Sequence, residues 1–340
     1  MKKASLFLIL IAVCILSLIA GFGLGSVRIA PLESLNIIIN RIFGTAPFGA
    51  VNQTTETILL RIRLPRVLLA FISGSGLAIS GVMMQSVLKN PLASSFTLGV
   101  SSGAALGASV AILFNIAVFG FFTLPIFGLF AGLLTVFLAL SVTAKVDKSL
   151  QNNSIILTGM AFSLFASAGL TIIMAFSGES INSLIFWQMG SFSRRTSTHV
   201  YALLPIVIIG FLIILKFTKA MDVMTLGDEQ AKTTGVEVRK MKILLLSLSA
   251  IITGSVVAMV GIIGFVDLFT PHIARKMFGS KHRYVIPASA LLGGAFMVIC
   301  DLAARTLLPP IELPVGAITA AIGAPFFMYL YFSGRKRSKK

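Results

Sequence analysis

Acidic side chains are scarce: the chain has 11 Asp and Glu in 340 residues, and all charged residues together make up only 11%. A water-soluble domain needs roughly a quarter of its residues charged to cover its surface. Most of this surface therefore has to face lipid, although the length alone would allow two soluble domains. Cysteine is limited to Cys14 and Cys300, each inside an apolar run, which leaves no disulfide or thiolate-metal spacing and no indication of redox compartment. His199, His272 and His282 are far apart, and none lies in a zinc-type motif. No Gly-x-x-x-x-Gly-Lys-Ser/Thr phosphate loop occurs, so the chain is not its own P-loop ATPase. Catalysis within a membrane would need a Ser, His or acid cluster on facing helices, and none stands out. The expectation is a chain with no enzyme activity, no cofactor and no bound metal.

Hydrophobic residues, at 56%, recur in runs from Leu6 to Phe332 with no long polar stretch. The fold class expected is an all-α membrane protein, one domain over 1–340 with no soluble appendage. The first run, Leu6 to Gly25, is uncharged and long enough to cross about 30 Å of hydrocarbon. Lys2 and Lys3 ahead of it resemble a signal peptide, and Ile11-Ala12-Val13-Cys14 resembles a lipoprotein cleavage site. A small residue should precede such a site, and Val13 is not small, so the run is read as a retained span. Ten helices are expected, at about 5–25, 64–88, 95–114, 119–144, 152–177, 198–219, 240–261, 263–277, 284–308 and 313–332. The eighth is short and contains Pro271, which suits a half-helix buried among its neighbours.

The net charge of +17 could suggest nucleic acid, but the basic residues sit in the short connections between apolar runs. With the N-terminus inside, 20 Lys and Arg fall on the inner side and 8 on the outer, the latter being Arg28, Arg41, Arg61, Arg63, Arg66, Arg194, Arg195 and Arg305. That bias puts both termini in the cytoplasm. The tail Arg335-Lys336-Arg337-Ser338-Lys339-Lys340 is read as an anchor near anionic lipid. Gly99, Gly103 and Gly107 share one helix face, as do Gly128 and Gly132, a spacing that lets helix backbones pack closely in lipid.

Two acids, Asp267 and Asp301, fall inside expected spans, where carboxylates are costly. Asp301 is read as a local pair with Arg305 four residues on. The longest inner connection, 221–239, contains Asp228 and Glu229 just after Gly227, which suits the first turn of a short helix, and Gly235 suits its stop. Such a surface helix serves either as a docking element or as a solvated connector.

The residues also carry a resemblance. Arg63-Leu64-Pro65-Arg66, Ser80-Gly81 with Gln85, Asn90-Pro91-Leu92-Ala93 and Leu98-Gly99-Val100 resemble the FecCD/BtuC-type permeases. So do Leu226-Gly227 through Gly235, Gly264-Phe265-Val266, Pro271-His272-Ile273-Ala274-Arg275, Asp301, Arg305, Glu312-Leu313-Pro314-Val315-Gly316 and Gly323-Ala324-Pro325. Each is weak alone; the ordered set from about 60 to 326 is specific. The resemblance implies a BtuC-like bundle of ten transmembrane helices in a bacterial cytoplasmic membrane. Its implied partners are two cytoplasmic ABC ATPases, a second permease subunit (identical or paralogous) and an extracytoplasmic substrate-binding (lipo)protein. Membrane lipid is also a partner, and nucleic acid is not.

By the same resemblance the 221–239 loop is the coupling element seated on an ATPase, with Gly227, Asp228, Glu229, Ala231 and Gly235 as interface residues. Arg63, Arg66 and Arg305 match arginines that meet glutamates of the binding protein, where guanidinium forks pair with carboxylates. Asn90 with Leu92, and Asn152 with Asn153, fall where the family has cytoplasmic gate loops. Two segments depart from its pattern: Asp267 with Phe269-Thr270 stands where Gly and aliphatic residues are usual, and Ser94-Ser95-Phe96 lacks a proline. The implied function is the permease subunit of an ATP-driven importer, most often for ferric siderophores, with haem and cobalamin as the next substrates. An ion-coupled secondary carrier, the alternative class, would show more ionisable groups at mid-membrane.

Overall fold

The computed structural model describes residues 3–25, 29, 36–37, 53–178 and 181–337. Lys2, Arg28, Arg41 and residues 338–340 of the basic tail, all used in the charge count, lie outside the described residues. Among those described, the chain is built of helices and turns without a strand. In lipid a helix satisfies its own backbone, so an apolar chain of this kind folds as helices.

In chain order the helices are α1 (Lys3–Gly23), α2 (Gln53–Thr57), α3 (Leu64–Leu88), α4 (Val100–Leu113), α5 (Thr123–Val146), α6 (Asn152–Phe176) and α7 (Ile181–Gln188). They continue with α8 (Ser197–Lys216), α9 (Thr218–Met224), α10 (Asp228–Thr233), α11 (Val238–Val260), α12 (Val266–Phe278), α13 (His282–Thr306) and α14 (Val315–Arg337). Seven stretches are long and apolar enough to cross a membrane: Lys3–Gly23, Gln53–Leu88, Gly120–Val146, Asn152–Phe176, Ser197–Lys216, Val238–Val260 and His282–Thr306. Val100–Leu113 and Val315–Phe326 are apolar but shorter. The protein is a multi-pass membrane protein.

α3 is the axis of the bundle. Apart from Leu64, Leu68 and Phe71, its whole length is buried, packed among α8, α11, α12 and α13. Its crossing with α13 is close. A Cβ on Gly74 would collide with the Gly293 carbonyl, and one on Gly293 with the Gly74 carbonyl, so the two backbones touch where neither has a side chain. The glycine faces read from the sequence meet in a similar way: Gly132 of α5 comes within 2.8 Å of the Val100 carbonyl, measured from where its Cβ would stand. Such contacts replace the hydrophobic drive that lipid removes. α6 is the opposite case, with only Ile155, Gly159 and Ala166 buried and Leu157, Leu164, Phe165 and Phe176 exposed.

Three local features position the functional side chains. A π-helical turn, Ile58–Arg63, leads into α3, with the Leu64 N–H bonded to the Leu59 carbonyl. The wider turn re-phases the helix, so that Arg63 and Arg66 are buried while Arg61 and Ile62 just before them are exposed. At its other end α3 stops on Lys89, in the left-handed conformation (φ 49°). α12, with 13 residues, measures about 20 Å at 1.5 Å per residue, too short to cross the hydrocarbon. It begins inside the bundle, where the Asp267 backbone lies against Gly81 of α3.

Candidate functional site

Polar chemistry gathers at the two ends of α3, called here the arginine end and the lysine end. At the arginine end Arg66 is buried, and its fork is already filled. Its Nε donates to Asp301 at 2.9 Å and its Nη1 to Glu312 at 2.9 Å. Arg305 approaches the same Asp301 carboxylate at 3.5 Å and donates through Nη2 to the Gly21 carbonyl at 2.5 Å. Arg63 donates to the carbonyls of Phe22 and Gly23, each at 2.9 Å, at the end of α1. These last carbonyls of a helix have no intrahelical partner, and cations suit that end. The three arginines expected to share one face are therefore brought together, and Asp301 pairs with both Arg305 and Arg66.

Arg305 borders a cavity of about 710 Å³ whose lining also includes Gly23, Gly25, Ile29 and Pro309, and Arg63 packs against Gly25 beside it. Glu312 is the most accessible member of the cluster, its side chain 40% exposed. Partial burial pushes its carboxyl up, but the Arg66 guanidinium outweighs that and holds it below the usual carboxylate range.

At the lysine end the 221–239 connection folds into α9 and α10. Gly227 precedes α10 with φ 146° and Gly235 follows it with φ 85°, a backbone region that favours glycine. Asp228 and Glu229 occupy the first turn of α10, and Ala231 is buried with Met224 and Val238 beneath it. Glu229 points outward and holds only Lys232, at 2.7 Å. Asp228 instead turns inward: Oδ1 meets Lys89 Nζ at 2.5 Å and Oδ2 meets Lys242 Nζ at 2.7 Å. Partial burial raises the Asp228 carboxyl, and the two ammonium groups more than reverse that, leaving it below the usual range. Lys242 also donates to the Leu150 carbonyl and to Asn152 Oδ1, each at 2.9 Å, and Asn152 Nδ2 donates to the Leu88 carbonyl at 3.0 Å. Asn90 Oδ1 accepts from the Leu92 N–H at 2.9 Å, which folds the loop on itself. Of the gate residues, Asn90, Leu92 and Asn152 thus stand in or beside one network, and Asn153 makes none of its contacts.

α9 is fixed separately. Asp222 Oδ1 accepts from the His282 N–H at 2.8 Å and lies 2.6 Å from His282 Nδ1, while His282 Nε2 meets Ser86 Oγ at 2.5 Å. This Ser-His-Asp order resembles a hydrolytic triad, but the serine is buried within α3 and serves to tie helices together.

The two departures from the family pattern touch each other. Ser94 Oγ donates to Asp267 Oδ2, and the Ser95 N–H donates to the same oxygen at 3.2 Å. Ser95 can donate there because a proline at that position would have no N–H. Asp267 thus pins the 3₁₀ turn Ser95–Leu98 to the start of α12.

A family model described as the FecCD transport family matches residues 9–333. The chain belongs to the FecCD family. Over 338 residues it is 35% identical to the Fe(3+)-citrate import system permease protein YfmE of Bacillus subtilis, covering 99% of this chain and 98% of that one. Over 283 residues it is 39% identical to the cobalamin import system permease protein BtuC of Halobacterium salinarum, covering 83% and 75%. A solved metal-chelate type ABC transporter in an inward-facing conformation superposes with a TM-score of 0.81 at 29% identity, covering 97% and 99%.

In this FecCD chain, sequence reasoning missed Lys89, Lys242 and Glu312 as members of the two clusters. Lys242 carried a weak signal, being the last cation of Arg239-Lys240-Met241-Lys242 before a long apolar run. Its side chain is fully buried.

Proposed function

We propose that this protein is the membrane-spanning permease subunit of an ATP-driven importer for an iron chelate, in a bacterial cytoplasmic membrane. It works with a second permease subunit, two cytoplasmic ABC ATPases that hydrolyse the nucleotide, and an extracytoplasmic binding protein. Ten helices with both termini inside place the lysine end of α3 in the cytoplasm and the arginine end outside. The observation that carries the reading is α10. This six-residue helix is bracketed by Gly227 and Gly235, carries two acids in its first turn and stands at the same end as the loops of Asn90 and Asn152. In a FecCD chain a helix so placed suits a groove on an ATPase, with Gly227, Glu229 and Gly235 facing the partner and Ala231 packing beneath.

On the outer face, Arg63, Arg66 and Arg305 form a cationic group that suits carboxylates of a binding protein. Because Asp301 and Glu312 already hold Arg66, its share in docking is through Glu312, which an incoming acid would displace. The bundle alternates its opening because the nucleotide-bound ATPases favour one of its two arrangements.

Uptake of radiolabelled iron by cells with and without this gene tests the reading, with ferric citrate, ferric hydroxamate and catecholate siderophores, and haem as the panel. Loss of one chelate, restored by the gene, is the expected result. An unchanged panel overturns the iron assignment. The 39% identity to a cobalamin import permease supports cobalamin as the second reading, so labelled cobalamin belongs in the same experiment.

A further inference from the structure

We infer that Asp228 is a positioning residue that transmits movement of the docking helix to the cytoplasmic gate, through a closed ring made of Lys89, Asp228, Lys242, Asn152 and Leu88. This rests on the permease reading above. Each link is a direct contact. Lys89 Nζ meets one carboxylate oxygen of Asp228 at 2.5 Å, and Lys242 Nζ meets the other at 2.7 Å. The remaining two ammonium protons of Lys242 go to the Leu150 carbonyl and Asn152 Oδ1. Asn152 returns to the Leu88 carbonyl, next to Lys89. The ring thus joins four segments: the end of α3, the docking helix α10, the start of α11, and the turn that opens α6.

An ammonium has three donors and no acceptor, and all three donors of Lys242 are in use. Its side chain is fully buried while that of Asp228 remains 30% exposed. The carboxylate is therefore accessible, as is Lys89 at 27%, and it is the member mounted on the helix proposed to contact the ATPase. Withdrawing it would leave Lys242 buried with a third donor unmet, which is costly. A displacement of α10 consequently either carries Lys89 and Lys242 with it or breaks the ring. Both outcomes reach the Asn90–Leu92 loop, which follows Lys89 directly, and the Asn152 turn. Glu229, one residue on, makes only a local surface pair and has no such route.

The test uses the assembled transporter with its cognate ATPase in nanodiscs. Leu92→Cys serves as the probe, because Leu92 is exposed while both native cysteines are buried. Its rate of reaction with a water-soluble maleimide is measured with and without ATP plus vanadate. Nucleotide is expected to change this rate by about tenfold in the parent, within the usual range for coupling between sites. Asp228→Asn keeps the shape and removes the charge, and Asn152→Ala breaks the ring away from the docking surface. Both are expected to abolish the nucleotide effect, and Asp228→Glu to restore part of it.

The relay is overturned if Asn152→Ala retains the full nucleotide effect, even where Asp228→Asn fails to co-purify with the ATPase; Asp228 is then a docking contact only. If the unmodified chain co-purifies with no ABC ATPase, the permease reading itself fails, and the relay with it.

Discussion

At its arginine end α3 meets a fully buried acid, Asp301, set near the end of the 25-residue α13 and shared by two guanidinium groups. At its lysine end it meets a partly exposed acid, Asp228, set on a six-residue surface helix and shared by two ammonium groups. Both clusters hold one more cation than acids, so charge count does not separate them. What separates them is the element carrying the acid. Asp301 cannot move without α13, whose crossing with α3 is closed by backbone contact at Gly74 and Gly293. Asp228 can move with α10, which has glycine at both flanks. One end is built for permanence and the other for exchange.

Asp301→Ala breaks the permanent end most severely, because it leaves Arg66 and Arg305 buried with only Glu312 to share. Removing one partner of a buried ion pair typically costs about 3–5 kcal/mol. Thermal unfolding of the detergent-purified chain should show a loss larger than for any change at Asp228. Gly74→Val comes next: the added side chain meets the Gly293 carbonyl, and overpacking of this kind costs about 1–3 kcal/mol. The same scan measures it, and an unchanged midpoint would mean that α3 and α13 are not locked at this point.

Glu312→Gln separates stability from docking. Its side chain is 40% exposed and glutamine can still accept from Arg66, so stability should change far less than for Asp301→Ala, by about 1 kcal/mol. Surface-immobilised binding protein should then bind the variant several-fold more tightly, because the Arg66 fork is less occupied. Weaker binding would remove Arg66 from the docking surface. The smallest effect concerns acid. The folded-state value of Asp228 lies below its ordinary one, so its contribution is complete above about pH 4 and is lost only as pH falls further. Hydrogen exchange across 225–236, corrected for intrinsic rates, should not change between pH 7 and pH 5. Increased exchange by pH 5 would show that the lysines do not hold the carboxylate.

Much of this was legible because local chemistry decided it. The α3 boundaries follow from Leu64-Pro65 at a helix start, where proline is tolerated, and from Asn90-Pro91 just beyond its end. α10 follows from Gly227, Asp228, Glu229 and Gly235 alone. The run read from residue 95 begins instead as a 3₁₀ turn, and α4 starts at Val100 after Gly99 at φ 82°. An even hydropathy trace does not register such a break. The last helix continues to Arg337 rather than stopping near 332, since basic residues extend a helix end without penalty. The clusters themselves were only half legible. The Asp301–Arg305 spacing is local, whereas Arg66 reaches Asp301 across 235 positions and Lys89 reaches Asp228 across 139. Pairings at that separation are set by which helices pack together, and one sequence does not state that.

The Gly74–Gly293 contact makes α3 a lever. A helix rises 1.5 Å per residue, so the lysine end lies about 21 Å from this fulcrum and the arginine end about 15 Å. A tilt of about 5° between α3 and α13 then carries Lys89 by roughly 2 Å and Arg66 by roughly 1 Å in the opposite direction. Displacements of that size exceed the tolerance of an ion pair at one end and stay within it at the other. The same small rotation can therefore open contacts at the lysine end while the arginines at the other end keep theirs.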